Sequence, residues 1–410
     1  MNDPSPVAPF DVAADGQAPP LQQALAAELA DLETRGLRRR RRLLETPQGT
    51  RVRVYGREYV AFCSNDYLGL AASPELIAAA REGAARYGVG AGASHLLLGH
   101  SAAHGELERR LAAFTGLPRA LLFSTGYLAN LGVVTALLGR ADAVFADRLN
   151  HASLNDAALL SRAAFRRYPH LDLAALERLL ARARARRKLI ATDAVFSMDG
   201  DVAPVPELVE LAERHDAWLL LDDAHGFGVL GPGGRGVLAR SGAISPRVVY
   251  MATLGKAAGV AGAFVAGAAD VVEALVQRAR PYIYTTAAPP LLAHALLTSL
   301  DLIREGDELR ARLGRLVRLL RERLRLERWK LAPSESAIQP LVIGGNAEAV
   351  AASDGLAAEG LLVPAIRPPT VPPGTARLRI SLSAAHSEED VERLAAALNR
   401  IEKTGTHTIS

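Results

Sequence analysis

Tyr250-Met-Ala-Thr-Leu-Gly-Lys-Ala-Ala-Gly259 sets one lysine, Lys256, in a bed of glycine and alanine just after a strand-like run, Val248-Val-Tyr250. Thr253 and Gly255 break that run. Lys256 is the only charged residue from Val248 to Ala269, in a chain that is 22% charged. A surface lysine needs no such setting. A lysine that must reach a flat ring, lose its proton and form an imine does, because small neighbours leave room and apolar ones disfavour the ammonium form. The same stretch also suits an ordinary loop lysine before a helix, so a second signal is needed.

That signal lies upstream. Ala217-Trp-Leu-Leu-Leu221 reads as a buried strand and runs into Asp222-Asp-Ala-His-Gly226. Acidic residues at the carboxyl end of such a strand sit where α/β proteins bind ligands. Asp222 and Asp223 should point to opposite faces of the sheet, so only one of them meets a given ligand. A carboxylate facing a pyridine nitrogen keeps it protonated, and a protonated ring is the electron sink of pyridoxal phosphate (PLP) chemistry. His225 stands close enough to contact the ring's phenolic oxygen or Asp222. Between Asp222 and Lys256 there is room for one crossover between two strands.

Asp222-Asp-Ala-His-Gly226 followed by Thr253-Leu-Gly-Lys256 closely resembles the α-oxoamine synthases, PLP enzymes that condense an amino acid with an acyl thioester and release carbon dioxide. The resemblance runs from about Leu37 to Ala384-Ala-His386. It implies an α/β fold of PLP-dependent type I (aspartate aminotransferase-like). That fold has a large domain with a mostly parallel sheet and a smaller C-terminal α+β domain. It implies PLP as cofactor, held by Lys256 with Asp222, His225 and Thr253 as further contacts, and a homodimer. The segment Ile366-Arg-Pro-Pro-Thr-Val-Pro372 most resembles the biotin-pathway branch, whose substrates are L-alanine and a pimeloyl thioester on coenzyme A or a carrier protein. Other branches, acting on glycine or serine, and a PLP-fold binding protein without turnover, are the alternatives.

Composition sets the bounds. The chain of 410 residues is long enough to bury a large core, and 49% hydrophobic content with interspersed charge indicates a soluble globular protein. The net charge of +4 is modest and gathered in arginine clusters, which does not require nucleic acid. A single cysteine, Cys63, rules out an intrachain disulfide and a cysteine metal cluster, fits a reducing, cytoplasmic setting, and leaves no metal expected. Residues 1–20 lack a basic start and an apolar core and read as a disordered leader. Ala120 to Gly139 and Pro281 to Leu300 are uncharged for 20 residues each, but polar residues and prolines interrupt both, so neither reads as a membrane span.

The expected divisions are an N-terminal helix and hairpin over 21–63, a large domain over 64–300 and a small domain over 301–410. Leu21 to Leu37 has helical spacing, and Arg38 to Arg42 follow it. Five arginines without interleaved aromatics are a solvated basic segment rather than a nucleic-acid site. In the family an arginine of this N-terminal helix contacts the acyl substrate; Arg39 is the choice here, with Arg38 and Arg40 close behind. Arg51 to Phe62 alternates and turns at Gly56, a hairpin pattern. Ser73-Pro-Glu-Leu76 reads as a capped helix start. Tyr87-Gly-Val-Gly-Ala-Gly-Ala-Ser-His95 follows a helix rather than a strand, so it is no dinucleotide fingerprint. The resemblance makes it substrate-site backbone, with Ser94 a contact.

Ala120 to Phe123 is a strand, and Ser124-Thr-Gly-Tyr-Leu-Ala-Asn130 opens a helix whose free N–H groups suit a phosphate. There Gly126 and Tyr127 match the family's cofactor site. His151, after the strand Ala143 to Ala146, inherits the role of stacking on the pyridine ring and touching substrate. Leu171 to Lys188 reads as a helix, Leu189 to Thr192 as a strand and Pro206 to Asp216 as a helix. Phe196-Ser-Met-Asp-Gly-Asp201 matches the family, with Ser197 a cofactor contact, and Asp193 stands where relatives often carry glutamate. Thr285 and Thr286 resemble the hydroxyl pair that reaches the phosphate across the dimer interface. Leu292 to Arg325 reads as one long helix. Prolines stiffen Ala365 to Pro372, where Arg367 is matched to the amino acid's carboxylate and Thr370 to the substrate site.

Overall fold

Apolar runs of five or six residues form the central layer. They pair into a seven-stranded sheet in the order Arg119–Phe123, Ala263–Gly267, Val248–Thr253, Ala217–Asp222, Lys188–Asp193, Ala143–Asp147, Ala164–Tyr168. Every neighbouring pair is parallel except the two that involve Ala263–Gly267. Strands of a buried parallel sheet show both faces to apolar layers. The registers bear this out. Ile190, Leu219, Leu221, Val248 and Tyr250 pack in one core cluster, while Leu189, Ala191, Leu220, Val249 and Met251 pack in another. Alternate residues of each strand therefore feed opposite layers.

The computed structural model describes residues 19–35 and 37–404. The chain divides into two units, 1–43 and 44–410. Residues 1–18 of the expected leader lie outside the described residues. In the first unit a helix spans Pro20–Thr34, shorter than expected. The arginines 38–42 lie beyond its end in irregular backbone, so the expected helical setting of Arg39 does not hold. Glu33 draws in Arg38 at 3.3 Å and Arg40 at 2.8 Å, and Arg39 is exposed.

In the second unit, helices such as Gly126–Leu137 and Val205–Arg214 cover the sheet. Ser73 caps the helix Pro74–Tyr87 by accepting from Leu76 N, as its sequence indicated. The hairpin Arg51–Val54 with Arg57–Ala61 turns at Tyr55 and Gly56, with φ of 49° and 72°, and Leu361–Leu362 adds to it in parallel. A four-stranded antiparallel sheet, Lys330–Leu331, Ile338–Gly344, Ala376–Ser381 and Ala365–Ile366, builds the C-terminal part.

Two helices differ from expectation. Leu171 to Lys188 is helical only over Leu173–Arg182, where Leu176 and Leu180 are buried; the run of arginines after Ala183 has no such anchor. Leu292 to Arg325 is two helices, Pro290–Glu305 and Asp307–Arg323, broken at Gly306. Asp307 and Glu308 then occupy the first turn of the second helix, where acidic side chains suit the dipole. Among the described residues no helix is long and apolar enough to cross a membrane.

Candidate active site

The carboxyl ends of the parallel strands carry Asp147, Asp193, Asp222 and Thr253 on one edge of the sheet. Lys256, in the turn just after Thr253, faces this edge. Its Nζ lies 2.8 Å from His225 Nε2. Burial pushes its ammonium down to about 8, against the opposing pull of Asp222 and Asp193. The direction is the one that small, apolar neighbours favour. His225 Nδ1 lies 2.7 Å from Tyr67 Oη. Both ring nitrogens of His225 are taken, so of its two expected partners Asp222 is not the one it meets. Burial, then the Lys256 and Arg379 cations, hold His225 well below the usual histidine range and so neutral.

Asp222 and Asp223 part to opposite faces, as strand geometry requires. Asp222 Oδ2 accepts from Asn130 Nδ2 at 2.7 Å and its Oδ1 accepts from Ala224 N at 3.0 Å. Asp223 instead takes Tyr250 Oη at 2.8 Å and Val237 N at 2.7 Å, and burial pushes it up to about 7. Asn130 also donates to Ser153 Oγ at 2.9 Å, and Ser153 Oγ lies 2.8 Å from His151 Nδ1. Asp222 and His151 are thus joined through two side chains that the sequence did not single out. Asp193 is the strand neighbour of Asp222, and its Oδ2 accepts His151 N at 2.7 Å, which pins the histidine's backbone. Burial and the Asp222 charge push Asp193 well above the usual carboxylate range. His151 itself is exposed.

Gly126 opens its helix with Thr125 as cap. A Cβ at Gly126 would lie 3.9 Å from Thr253 Cβ, so Thr253 packs against that helix start. Thr253 Oγ1 donates to Gly262 O at 3.1 Å. Tyr127 is 41% exposed, and its hydroxyl donates to Asp156 Oδ2 at 2.6 Å. Ser197 sits in a loop held from two sides. Arg379 Nε donates to Ser197 O at 2.6 Å and Arg377 to Asp199 at 2.7 Å, both from the antiparallel sheet. From the other side His170 bridges Asp147 at 3.0 Å and Asp201 at 2.7 Å, edge-on to Phe196. Burial opposes its charge, but the two carboxylates hold the imidazolium up to about 10.

Other expected residues stand on other segments of the chain. Thr285 and Thr286 occupy the loop before Pro290–Glu305, and Thr285 Oγ1 donates only to Thr286 O among the bonds recorded for it. Arg367 follows the short strand Ala365–Ile366, and its carbonyl accepts Thr370 N at 3.1 Å in a tight turn. Ser94 precedes His95–Gly99, and its carbonyl accepts Leu97 N and Gly99 N. Arg39 belongs to the other unit. Among the described residues one set of potential metal ligands occurs, His95, His100 and His104. His104 already accepts Ser101 N and lies 2.9 Å from Ala288 O, so it ties the start of its own helix to the segment before Pro290–Glu305.

The residues missed were Asn65, Tyr67, Asn130, Ser153 and Arg379. Only Arg379 carried a signal of its own. Arg377 and Arg379 alternate on one face of an otherwise apolar strand, and both are buried.

The class I and II aminotransferase family model matches residues 57–398. An 8-amino-7-oxononanoate synthase from Aromatoleum aromaticum is 66% identical over 93% of this chain and 99% of its own. Among solved structures, a serine palmitoyltransferase from S. paucimobilis with a PLP–myriocin aldimine bound superposes with a TM-score of 0.88 at 30% identity, over 94% of this chain and 99% of that one. An 8-amino-7-oxononanoate synthase from Francisella tularensis gives a TM-score of 0.73 at 30% identity, over 85% of this chain and 99% of that one.

Proposed function

This chain belongs to the class I and II aminotransferase family, among the 8-amino-7-oxononanoate synthases, and we propose that it joins L-alanine to a pimeloyl thioester in biotin biosynthesis. Identities of 59–66% to synthases of that name, against 30% to the serine palmitoyltransferase, favour alanine over serine as the amino acid. The observation that carries the reading is the amine of Lys256, its cation disfavoured by burial, on the same sheet edge as the buried carboxylate of Asp222.

The donor set fits PLP. Asp222 accepts two recorded bonds and a carboxylate offers about four lone-pair sites, which leaves capacity for a ring N–H. When bound, PLP supplies a carbonyl carbon for an amine and a protonated ring that draws charge from the substrate's α-carbon. Lys256 is the residue to meet the carbonyl carbon, Asp222 the ring nitrogen and His151 the ring face, with His225 beside Lys256 as a further cofactor contact. Gly126, Tyr127, Ser197 and Thr253 serve the ring and phosphate. Thr285 and Thr286 add to the phosphate site across a homodimer interface, for which the exposed Leu96, Leu97, Leu98 and Tyr284 nearby offer apolar cover.

The chemistry asked of the protein is positioning and one proton. Arg367 binds the alanine carboxylate. Lys256, as free amine, takes the α-proton. Its depressed pKa keeps a useful fraction unprotonated near neutral pH. His151, neutral and held at Nδ1, turns its other nitrogen to the thioester oxygen as the new carbon–carbon bond forms. Ser94 and Thr370 line the acyl path, and Arg39 meets the acyl group. The thiol carrier leaves, the alanine carboxylate departs as carbon dioxide, and Lys256 returns the proton to give 8-amino-7-oxononanoate. A reducing cytoplasmic setting completes the reading.

The test is product analysis by mass spectrometry with the purified chain, PLP, L-alanine and pimeloyl thioesters of coenzyme A and of a carrier protein. Expected are 8-amino-7-oxononanoate and a yellow protein, both lost in Lys256→Ala. Normal turnover by that variant ends the assignment of Lys256.

A further inference from the structure

Lys256 is one end of a hydrogen-bonded chain whose other end is Arg379. Its members are Lys256 Nζ, His225 Nε2 at 2.8 Å, His225 Nδ1 to Tyr67 Oη at 2.7 Å, Tyr67 Oη to Asn65 Oδ1 at 3.0 Å, and Asn65 Oδ1 to Arg379 Nη1 and Nη2 at 3.3 Å each. The polarity of this chain follows from its arginine end. A guanidinium only donates and stays charged. The atom of Asn65 facing Arg379 must therefore be its oxygen, because the flipped amide would set N–H against N–H. That oxygen accepts from Tyr67, whose single proton is thereby committed. Tyr67 is fully buried, and burial raises its pKa, so it stays a phenol. Its oxygen then has only acceptor capacity left for His225. The His225 proton accordingly sits on Nδ1, and bare Nε2 faces Lys256.

We propose that Tyr67, locked by Asn65 and Arg379, is a positioning residue that fixes His225 as the Nδ1–H tautomer, so that Nε2 accepts an N–H of Lys256 and aims its amine. A ring nitrogen's state is set by the bond its partner nitrogen makes. The Nδ1–H form is the less common one for an unconstrained histidine side chain, so the surroundings must impose it. The consequence for the reaction rests on the function proposed above. While Lys256 is a free amine, one N–H is tied to His225 and its lone pair is directed instead of rotating freely. The same chain joins the base to Asn65 and Arg379.

The experiment uses the full chain without cofactor, labelled with 15N-histidine, at pH 7. The His225 signals are assigned by their loss in His225→Gln. Expected is a protonated Nδ1 and a bare Nε2 in the wild type. The same state should persist in Lys256→Met, because Tyr67 alone imposes it. The double variant Lys256→Met with Tyr67→Phe should revert to the Nε2–H form. A wild-type proton on Nε2, or a proton that moves to Nε2 in Lys256→Met alone, overturns the proposal. In the holoenzyme, Tyr67→Phe should lower kcat about tenfold, the change carried by one hydrogen bond, with KM for alanine within about twofold. A Tyr67→Phe enzyme with unchanged kcat also overturns it. Nuclear resonance results as expected in a chain that makes no product would sink the function and leave the tautomer assignment standing.

Discussion

The two edges of the seven-stranded sheet handle charge in opposite ways. At the amino ends of the parallel strands, charged side chains reach into water. Arg119 meets Glu273 at 2.7 Å and Arg247 meets Asp216 at 2.8 Å, in pairs with at least one partner about half exposed or more. Even buried Asp142 there finds an exposed arginine, Arg186, at 3.1 Å. At the carboxyl ends Asp147, Asp193, Asp222 and Asp223 are buried, and neighbouring backbone and side chains supply the donors. Solvent satisfies the first edge at little cost. The second keeps several acids and a lysine out of water, which burial penalises unless something else retains them. The difference marks one edge as structure and the other as chemistry.

The largest effect should come from the least comfortable group. Lys256 has its pKa lowered from 10.5 to about 8 by burial. A folded state that holds a proton less tightly than the unfolded chain is destabilised wherever both are charged, here below about pH 8, and the penalty fades between pH 8 and 10.5. Lys256→Met should therefore stabilise the cofactor-free protein at pH 7 by roughly 1–3 kcal/mol, less the lost bond to His225, while abolishing activity. Denaturant melts at pH 7 and pH 10.5 check this. A variant less stable than wild type at pH 7 would show that the carboxyl edge holds its lysine at no cost.

How much of this was legible follows the same division. The sheet was, because alternating and continuous apolar runs report burial directly, and Ala217 to Gly226 carried both the strand and its acidic end. Lys256, Asp222 and His225 were legible because their types are rare in such surroundings. Asn130, Ser153, Tyr67 and Asn65 were not. Each occupies a position where its type is ordinary, a helix turn or an entry loop, and its importance comes from a partner as much as 314 residues away in sequence, as for Asn65 and Arg379. The two helix misreadings share another cause. Leu171 to Lys188 and Leu292 to Arg325 keep helix-forming composition past the point where a buried face or Gly306 ends the helix.

A smaller effect tests whether the carboxyl edge includes its supports. His170, clamped between Asp147 and Asp201, has its pKa raised from 6.5 to about 10. Such a group contributes stability that is complete below about pH 6.5 and is lost as pH climbs toward 10. His170→Gln should cost on the order of 1 kcal/mol at pH 6, after allowance for solvent screening of a ring that is 24% exposed, and almost nothing at pH 10. Because Asp201 closes the loop that carries Ser197, the variant should also bind PLP more weakly. Melts at pH 6, 8 and 10 decide the matter; a gap that stays constant across them removes the charge from the account.

The smallest effect belongs to the other edge, and its smallness is the point. Arg119 and Glu273 form a 2.7 Å pair, but their side chains are 44% and 48% exposed. Two long side chains held in one geometry lose rotamer freedom, water competes for both charges, and salt screens what remains. Arg119→Ala should therefore cost no more than about 0.5 kcal/mol, vanish into the error at 1 M salt, and leave turnover unchanged. Arg119→Met, which keeps an unbranched apolar side chain, separates packing from charge. If Arg119→Met alone cost more than about 1 kcal/mol, the charge at the amino edge would be structural, and the contrast between the edges would be one of degree.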